Sequence, residues 1–117
     1  MPDLRRVGRD AEDRAASYLI EKGYTIVTRR YSTRVGEIDV IALDGEVLVF
    51  VEVKERRTSG YIPEEAVGPK KVARIGRAAA HYVAKTNDRR SVRFDLIAID
   101  SAGIRHYEGC FEQEGEF

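Results

Sequence analysis

The sequence of 117 residues contains a single cysteine, Cys110, and this scarcity excludes two kinds of small protein. One cysteine cannot form an intramolecular disulfide framework, nor supply a Cys-x-x-Cys zinc site. No apolar run approaches the ~20 residues that a membrane-spanning helix needs. The N-terminal segment MPDLRRVGRDAEDR is charged and lacks the apolar core of a secretion signal. We therefore expect a cytoplasmic protein without a membrane segment.

Net charge is also lacking, because 20 basic and 20 acidic residues cancel. A neutral chain does not by itself favour a nucleic-acid partner. The charges are unevenly placed, however: residues 1–53 carry 8 basic and 10 acidic groups, residues 54–93 carry 11 and 4, and residues 94–117 carry 1 and 6. The basic middle segment can present one positive face. The acidic C-terminal tail, from about residue 110, is predicted to be frayed.

Several familiar signatures are missing as well. The chain has no internal repeat, no low-complexity tract and no linker long enough to divide it. It contains no GxxxxGK phosphate loop, no GxSxG nucleophile elbow and no HExxH zinc motif. We therefore predict a single domain over residues 1–117, which is long enough to bury a core without covalent supports.

The order of predicted elements is typical of an α/β protein. Helices are indicated by apolar residues three and four apart, and strands by β-branched residues with a period of two. The resulting α-β-β-β-α-β-β order predicts a mixed central β-sheet flanked by helices. The predicted elements are a helix at 9–22, strands at 24–32, 38–43 and 46–54, a short helical turn from Pro63, a helix at 69–85, a strand at 91–100 and an edge strand at 103–109.

The most hydrophobic segment is GEIDVIALDGEVLVFVEVKERR, residues 36–57, in which Asp44-Gly45 separates two apolar runs. This dipeptide predicts a two-residue type I′ turn, whose register places Asp39 opposite Phe50. Side chains alternate along a strand, so the charged residues of the hairpin share one face. That face carries Glu37, Asp39, Glu52 and Lys54 beside Ile41, Leu48 and Phe50, and the other carries Ile38, Val40, Ala42, Val47, Val49, Val51 and Val53. Both faces are apolar near the turn, which indicates central strands.

The charged residues collect at the open end of this hairpin. Glu37 directly opposite Glu52 would be repulsive, and Asp39 would lie diagonal to Glu52 at about 7–8 Å. Two carboxylates at that spacing can converge on one hard divalent cation. Lys54, on the same face, can orient a water or balance charge on a phosphate. The pattern fits metal-assisted phosphodiester hydrolysis, and the alternative is a set of solvated charges at strand ends.

Three segments that together cover nearly the whole chain carry a family resemblance: GRDAEDRAASYLIEKGYTIVTRRY, GEIDVIALDGEVLVFVEVKERR and EEAVGPKKVARIGRAAAHYV. They resemble the bacterial YraN-like family of predicted endonucleases, within the PD-(D/E)xK nuclease superfamily. That family is considered distantly related to archaeal Holliday junction resolvases. The most specific features are GRxxE at Gly8–Glu12 and GEID followed by FVEVK. Ile38 is a departure, because the superfamily usually has proline before its first aspartate.

The resemblance implies a restriction-endonuclease-like fold and a role for each matched residue. Asp39 and Glu52 would bind Mg²⁺ or Mn²⁺, with the main-chain carbonyl of Val53 as a third ligand. Lys54 would be the catalytic lysine. Glu12 would be the acidic residue that resolvase-like members supply from the first helix.

Three further residues are candidates for the same site. Glu12 falls on the apolar stripe of the first helix, where a carboxylate is costly unless it is paired or bound to an ion. The alternative for Glu12 is a boundary residue that reaches solvent. Lys71 lies near the apolar stripe of the second long helix and could reach the acidic cluster. Glu37 belongs to the family signature without an assigned role, so Glu37 and Lys71 are candidates for shaping the site.

Basic residues near this site are candidates for contacts with nucleic acid. Some lie along one side of the second long helix, as a phosphate-tracking surface would. Others follow the predicted catalytic lysine directly. The alternative for each is an ordinary solvated charge. The candidates are Arg56, Arg57, Lys70, Arg74 and Arg77.

Three remaining polar residues are predicted to lie outside the site. Asp95 is expected to pair with a basic residue at the edge of the core rather than to act in catalysis. His81 and His106 have no spacing that suggests a zinc site, and both are predicted to lie on the surface.

The favoured function is a Mg²⁺- or Mn²⁺-dependent endonuclease acting on DNA, which is favoured over RNA, with branched or junction DNA and linear DNA both open as substrates. Because two cuts in a junction need two sites, we expect a two-fold homodimer in that case. One alternative is a nucleic-acid-binding module with a nuclease fold and no turnover. Another is an interaction adaptor in DNA repair, which would lack the salt dependence of phosphate contacts.

Overall fold

A five-stranded mixed sheet lies between two helices in the computed structural model, which describes residues 4–56 and 68–111. The α-β-β-β-α-β-β order predicted from the sequence is confirmed. Arg57, the predicted helical turn from Pro63 and residues 112–117 of the tail lie outside the described residues. The elements are α1 (Leu4–Glu21), β1 (Thr25–Ser32), β2 (Glu37–Asp44), β3 (Val47–Glu55), α2 (Pro69–Thr86), β4 (Val92–Asp100) and β5 (Gly103–Tyr107).

The sheet order follows the chain, β1-β2-β3-β4-β5. Neighbouring strands are antiparallel except β3 and β4, which are parallel. A parallel pair needs a crossover connection, and the chain between β3 and β4 contains α2. β3 is central and buried on both faces for most of its length, as the unbroken apolar run of its sequence predicts.

Each helix covers one face of the sheet with its own apolar cluster. On the α1 face, Ala15 and Leu19 pack against valines and isoleucines of β2, β3 and β4. On the α2 face, Ile75 and Tyr82 pack against residues that include Phe50, whose ring stacks on that of Phe94 with centroids 5.5 Å apart. Leu19 and Phe50 are completely buried, so truncation of either to alanine would cost roughly 2–5 kcal/mol.

The turn of the central hairpin differs from the prediction by one residue. Asp44 pairs with Val47, so the two turn residues are Gly45 and Glu46 rather than Asp44 and Gly45. Gly45 has φ 60°, as the first central residue of a type II′ turn requires. The predicted pairings of Asp39 with Phe50 and of Glu37 with Glu52 are therefore wrong, because Phe50 pairs with Ile41 and the whole register is shifted by two positions. An even shift leaves the assignment of faces unchanged, so most of the predicted faces are confirmed.

One residue of β2 lies on the opposite face from the one predicted. Ile38 packs in the α2-face cluster, whereas Val40 packs in the α1-face cluster. Residues two apart in a regular strand share a face, so the alternation breaks at Asp39, between them. The backbone pairing of β2 with β3 ends nearby, at Val40↔Val51. Asp39 therefore lies where the two central strands separate.

The ends of several elements also differ from prediction. Helix α1 begins at Leu4 rather than Arg9, and β5 ends at Tyr107 rather than Gly109. In the part of the chain that the structure describes, neither helix has a stretch long and apolar enough to cross a lipid bilayer.

Candidate active site

Asp39 is held at the open end of the hairpin by a bond from its side chain to the neighbouring strand. The main-chain N–H of Val53 donates to Asp39 Oδ2 at 2.7 Å. In a regular antiparallel pair, the Val53 N–H would donate to a main-chain carbonyl of β2. The Asp39 carboxylate replaces that carbonyl as the acceptor. In an extended strand, the N–H and C=O of one residue point toward the same neighbour. The Val53 carbonyl therefore also faces the side of Asp39.

Asp39 has the most strongly altered acidity of the site. Burial raises its pKa to about 7, and the negative charges of Glu52 and Glu12 add to the effect. The Val53 hydrogen bond and the positive charge of Lys71 act in the opposite direction. A carboxyl group surrounded by acidic neighbours in a buried place is a feature of functional sites. A bound cation would favour its ionised form.

Glu52 is the second carboxylate of the site and is almost fully buried, at 2% exposure. Two lysines from different elements lie beside its Oε1 atom. Lys54 Nζ of β3 is 3.3 Å away, and Lys71 Nζ of α2 is 3.4 Å away. A buried carboxylate needs such pairing, because an uncompensated charge in the interior is costly. The structure thus brings Asp39, Glu52, Lys54 and Lys71 into one cluster.

Glu12 of α1 is also buried, at 4% exposure, and it is paired with two consecutive arginines. Its Oε1 accepts from Arg29 Nε at 3.2 Å, and its Oε2 accepts from Arg30 Nε at 3.0 Å. Consecutive residues of a regular strand point to opposite faces. Arg30 breaks that rule with φ 54°, which lets both side chains reach the same carboxylate. These two arginines were not predicted as site residues; the only signal in the sequence is the Arg-Arg pair in a strand that otherwise alternates.

The remaining predicted site residues that the structure describes are exposed. Glu37 is exposed, and its Oε2 accepts from Ser32 Oγ at 3.3 Å. Arg56, at the end of β3, is exposed, and its main-chain N–H donates to the Ile99 carbonyl at 3.1 Å. The three basic candidates of α2 are also exposed: Lys70, Arg74 and Arg77.

The donor atoms gathered here fit a hard divalent cation better than zinc. Asp39 and Glu52 supply carboxylate oxygens and Val53 a carbonyl oxygen, which are the ligands that such cations prefer. Among residues 4–56 and 68–111, no group of three or more His, Cys, Asp or Glu side chains is arranged to hold a metal ion. A protein-derived site would therefore use two carboxylates, the carbonyl and water, while Glu12 stays bonded to its arginines.

A further buried carboxylate, that of Asp95, has basic residues as its partners. Arg93 donates to both carboxylate oxygens of Asp95, at 2.9 and 3.0 Å. The predicted pairing of Asp95 with a basic residue is confirmed. The prediction that His106 lies on the surface is wrong, since its side chain is 2% exposed. His106 Nε2 lies 2.8 Å from Asp95 and Nδ1 lies 2.9 Å from Lys22 Nζ. Because Lys22 can only donate, His106 carries its proton on Nε2.

Comparison with known proteins places the chain in a family. The chain matches the profile described as "Uncharacterised protein family UPF0102" over residues 11–99. A UPF0102 protein from Syntrophotalea carbinolica is 45% identical over 116 residues, covering 93% of this chain and 94% of that protein. Another from Syntrophus aciditrophicus is 47% identical over 107 residues, covering 90% and 81%. A third from Thermotoga neapolitana is 44% identical over 104 residues, covering 88% and 95%. Because each comparison matches most of the chain, this protein belongs to the UPF0102 family.

Proposed function

We propose that this protein is a metal-dependent endonuclease of the PD-(D/E)xK type that hydrolyses phosphodiester bonds in DNA. The observation that carries the proposal is the nearness of the Asp39 carboxylate to the almost fully buried carboxylate of Glu52, whose charge acts on it. Burial and the charge of Glu52 raise the pKa of Asp39 to about 7, and Lys54 lies beside the same Glu52 oxygen. Two mutually repelling carboxylates with an adjacent ammonium group are the components that metal-assisted phosphodiester hydrolysis requires.

Each residue of the cluster has a part in that chemistry. Asp39, Glu52 and the Val53 carbonyl would hold Mg²⁺ or Mn²⁺, which supplies Lewis-acid stabilisation of charge on the phosphate oxygens. Lys54 would position the attacking water and offset negative charge that develops on the phosphate. Lys71 would orient Glu52 from the α2 side, through the 3.4 Å contact. Glu12 would act through water or through its arginines.

The surface around the cluster supports a nucleic-acid substrate. Arg56, Lys70, Arg74 and Arg77 are exposed basic residues near the open end of the hairpin or along α2. Phosphate contacts of this type supply most of the sequence-independent affinity for DNA. We extend the proposal to branched DNA as substrate, to a two-fold homodimer for paired cuts, and to action in the cytoplasm.

A second candidate function is nucleic-acid binding without turnover. The contacts of the carboxylates favour it, because each acidic group already has protein partners. Glu12 is paired with two arginines, Glu52 with two lysines, and Asp39 with a main-chain N–H. A site satisfied in this way can be stable without a cation.

The test is calorimetric titration of Mn²⁺ into the wild type, Asp39→Asn and Glu46→Gln. Glu46 is an exposed carboxylate at the closed end of the same hairpin, so its variant is the matched control for loss of one acidic group. Wild type and Glu46→Gln should bind Mn²⁺ equally, and Asp39→Asn should bind at least tenfold more weakly. Cleavage of junction DNA is measured on the same samples.

Cleavage by the wild type and by Glu46→Gln, lost together with metal binding in Asp39→Asn, would establish the nuclease. DNA binding with strong salt dependence but no cleavage of junction, flap or duplex substrates would favour the binding module. Absence of Mn²⁺ binding by the wild type would overturn the catalytic proposal. Absence of DNA binding at low salt would favour a protein-interaction adaptor.

A further inference from the structure

A groove of about 480 Å³ lies beside the candidate active site, between α2 and the turn that joins β1 to β2. Its lining includes Arg34, Val35 and Gly36 of the turn and Lys71 and Arg74 of α2. Lys71 connects the groove to the active site, because its Nζ atom is 3.4 Å from Glu52 Oε1. A long ligand bound in this groove could therefore extend past Lys71 to the Asp39 and Glu52 carboxylates.

The turn is held rigidly by one hydroxyl group. Thr33 Oγ1 accepts from the main-chain N–H groups of Val35 and Gly36, both at 3.1 Å, and donates to the Gly36 carbonyl at 3.0 Å. The Thr33 N–H also donates to the Gly36 carbonyl, at 2.8 Å. Such side-chain bonds fix a tight turn without help from secondary structure. The tip residues, Arg34 and Val35, are thus presented from a preorganised backbone.

The turn is also seated directly on the helix. A Cβ atom at Gly36 would lie 2.6 Å from the Arg74 carbonyl oxygen, so only glycine allows this approach. The contact fixes the width of the groove, because one wall is the turn and the other is a short stretch of α2. From Lys71 to Ile75 the helix rises only ~6 Å. The groove is therefore short, with room for a short stretch of one nucleic-acid backbone.

The chemistry of the lining is that of a single-strand site. Among the described residues of the lining, Arg34, Lys71 and Arg74 are basic and Glu37 is the one carboxylate. Glu37 accepts a bond from Ser32 at the edge of the groove. Val35, at the tip, is an exposed apolar residue, with 44% of its surface accessible. Basic grooves follow nucleic-acid backbones, and exposed apolar tips are used to separate or cap stacked bases.

We infer that this groove binds the single-stranded arm of a branched DNA, with Arg34 and Arg74 on its phosphates and Val35 against the last base pair of the adjoining duplex. A strand bound in the groove would place the backbone at the branch beside Lys71 and the carboxylates. Cleavage of that backbone rests on the proposed nuclease function. The inference identifies a substrate class, DNA with a junction between single and double strands.

The experiment measures DNA affinity without cleavage. Fluorescence anisotropy in EDTA, on an Asp39→Asn background, compares a duplex that bears one single-stranded arm with the same duplex lacking the arm. Arg34→Ala is compared with Arg89→Ala, which removes the same charge from an exposed position beyond the C-terminal end of α2. Val35→Ser is compared with Val27→Ser, since Val27 of β1 is exposed to a similar 42%. Thermal unfolding of each variant reports whether it folds.

The parent protein should bind the armed duplex about tenfold more tightly than the blunt one, by contacts of the basic lining with the backbone of the arm. Arg34→Ala should weaken armed-duplex binding about fivefold and reduce the salt slope by about one phosphate contact. Val35→Ser should reduce the preference for the armed duplex without a change in salt slope. Both control variants should stay within about twofold of the parent, as is usual for surface changes away from a site.

Equal affinity of the parent for armed and blunt duplexes would overturn the inference. So would equal losses in Arg34→Ala and Arg89→Ala. If the preference is absent while the protein with Asp39 intact cleaves DNA with Mn²⁺, the groove assignment fails and the nuclease stands. If the preference is present but no metal-dependent cleavage occurs, the nuclease proposal fails and the groove stands as a DNA-binding site.

Discussion

The Val53 N–H and the Asp39 carboxylate are joined across β3 and β2 at 2.7 Å, beyond the last backbone pair of these strands. Val53 is fixed on its other side by parallel pairing with Ile97 of β4. Asp39 is therefore positioned by the centre of the sheet rather than by a loop. A site built on central strands keeps its geometry because the core holds it, which is the condition for preorganised charge.

The first prediction concerns the pH dependence of stability. The pKa of Asp39 is raised from 3.8 to about 7 in the folded protein, so between those values the folded state holds a proton that the unfolded chain has released. Stability should therefore fall as the pH rises from about 4 to about 7. Asp39→Asn cannot ionise, so metal-free Asp39→Asn should be more stable than the wild type at pH 8, by on the order of 4 kcal/mol. The two should converge near pH 4. Urea unfolding across this range measures the difference.

Glu46→Gln is the control for that prediction, because its carboxylate is exposed at the turn. It should follow the wild-type curve at every pH. A stability difference between Asp39→Asn and wild type that does not change with pH would show that Asp39 keeps an ordinary acidity.

The second prediction is that Mg²⁺ or Mn²⁺ stabilises the protein in a pH-dependent way. Cations bind the ionised carboxylate, and ionisation of Asp39 is opposed by burial and by Glu52 up to about pH 7. The rise in melting temperature at a fixed metal concentration should therefore be larger at pH 8 than at pH 6. Asp39→Asn should show no such rise. An equal rise in that variant would place metal binding elsewhere.

The periodic pattern of the sequence predicts much of the site. Side chains alternate between the two faces of a strand, so a register error of two residues leaves each side chain on its predicted face. The turn was misplaced by one residue, and the register by two, yet Glu52 and Lys54 still share the α2 face with Phe50. Both turns satisfy the same hydrophobic alternation. The choice between a turn at Asp44-Gly45 and one at Gly45-Glu46 depends on the local backbone energy of Gly45. The hydrophobic pattern gives no information about that energy.

Other features depended on contacts that no local pattern reveals. The break at Ile38 accompanies a left-handed backbone at Arg30, a residue that gives no signal of that conformation. The pairing of Glu12 with Arg29 and Arg30 joins α1 to β1. The sequence predicts His106 on the surface, because nothing in it links His106 to its partners Asp95 and Lys22. Lys22 lies 84 positions away. Buried polar networks of this kind are set by tertiary packing.

The third prediction separates the two lysines that contact Glu52. Lys54→Met should reduce cleavage at least a hundredfold while leaving Mn²⁺ affinity within a few fold, because its charge acts on the reacting phosphate. Lys71→Met should reduce cleavage less, about tenfold, and should also weaken armed-duplex binding. Lys85→Met, in the last turn of α2, controls for loss of one exposed charge. Single-turnover kinetics measure the loss of cleavage, and fluorescence anisotropy measures the loss of armed-duplex binding. Equal losses in both quantities for Lys54→Met and Lys71→Met would contradict the separate roles.

The fourth prediction concerns the buried cluster around Asp95. Burial alone would raise the pKa of Asp95, but hydrogen bonds from His106, Arg93 and the Gly109 N–H outweigh it and lower the pKa below its usual value. This stabilisation is present above about pH 4 and is lost as the pH falls through the lowered pKa. Asp95→Asn should lose roughly 2–3 kcal/mol at pH 7, because Arg93 and the Gly109 N–H lose their charged acceptor, while Arg93 keeps its ion pair with Asp44. The loss should shrink in acid.

Asp13→Asn provides the comparison, since Asp13 is an exposed partner of Arg29 with 59% of its side chain accessible. Its removal should cost less than about 1 kcal/mol. Chemical unfolding of both variants tests the contrast. A small loss for Asp95→Asn would mean that the cluster is replaceable, and its role would then need a functional explanation.

The fifth prediction tests the seat of the β1–β2 turn on α2. In Gly36→Ala, the new methyl group would meet the Arg74 carbonyl oxygen at 2.6 Å, so the turn must move away from the helix. The expected cost is about 1–3 kcal/mol of stability, together with weaker binding of the armed duplex. Gly68→Ala is the matched control, because no described residue lies within 4 Å of a Cβ atom there. Thr33→Ser keeps the hydroxyl that organises the same turn and should bind as the wild type does, whereas Thr33→Val should lose part of the preference for the arm. If Gly36→Ala and Thr33→Val are both destabilised yet bind the armed duplex normally, the turn serves the fold alone, and the strand path must lie elsewhere.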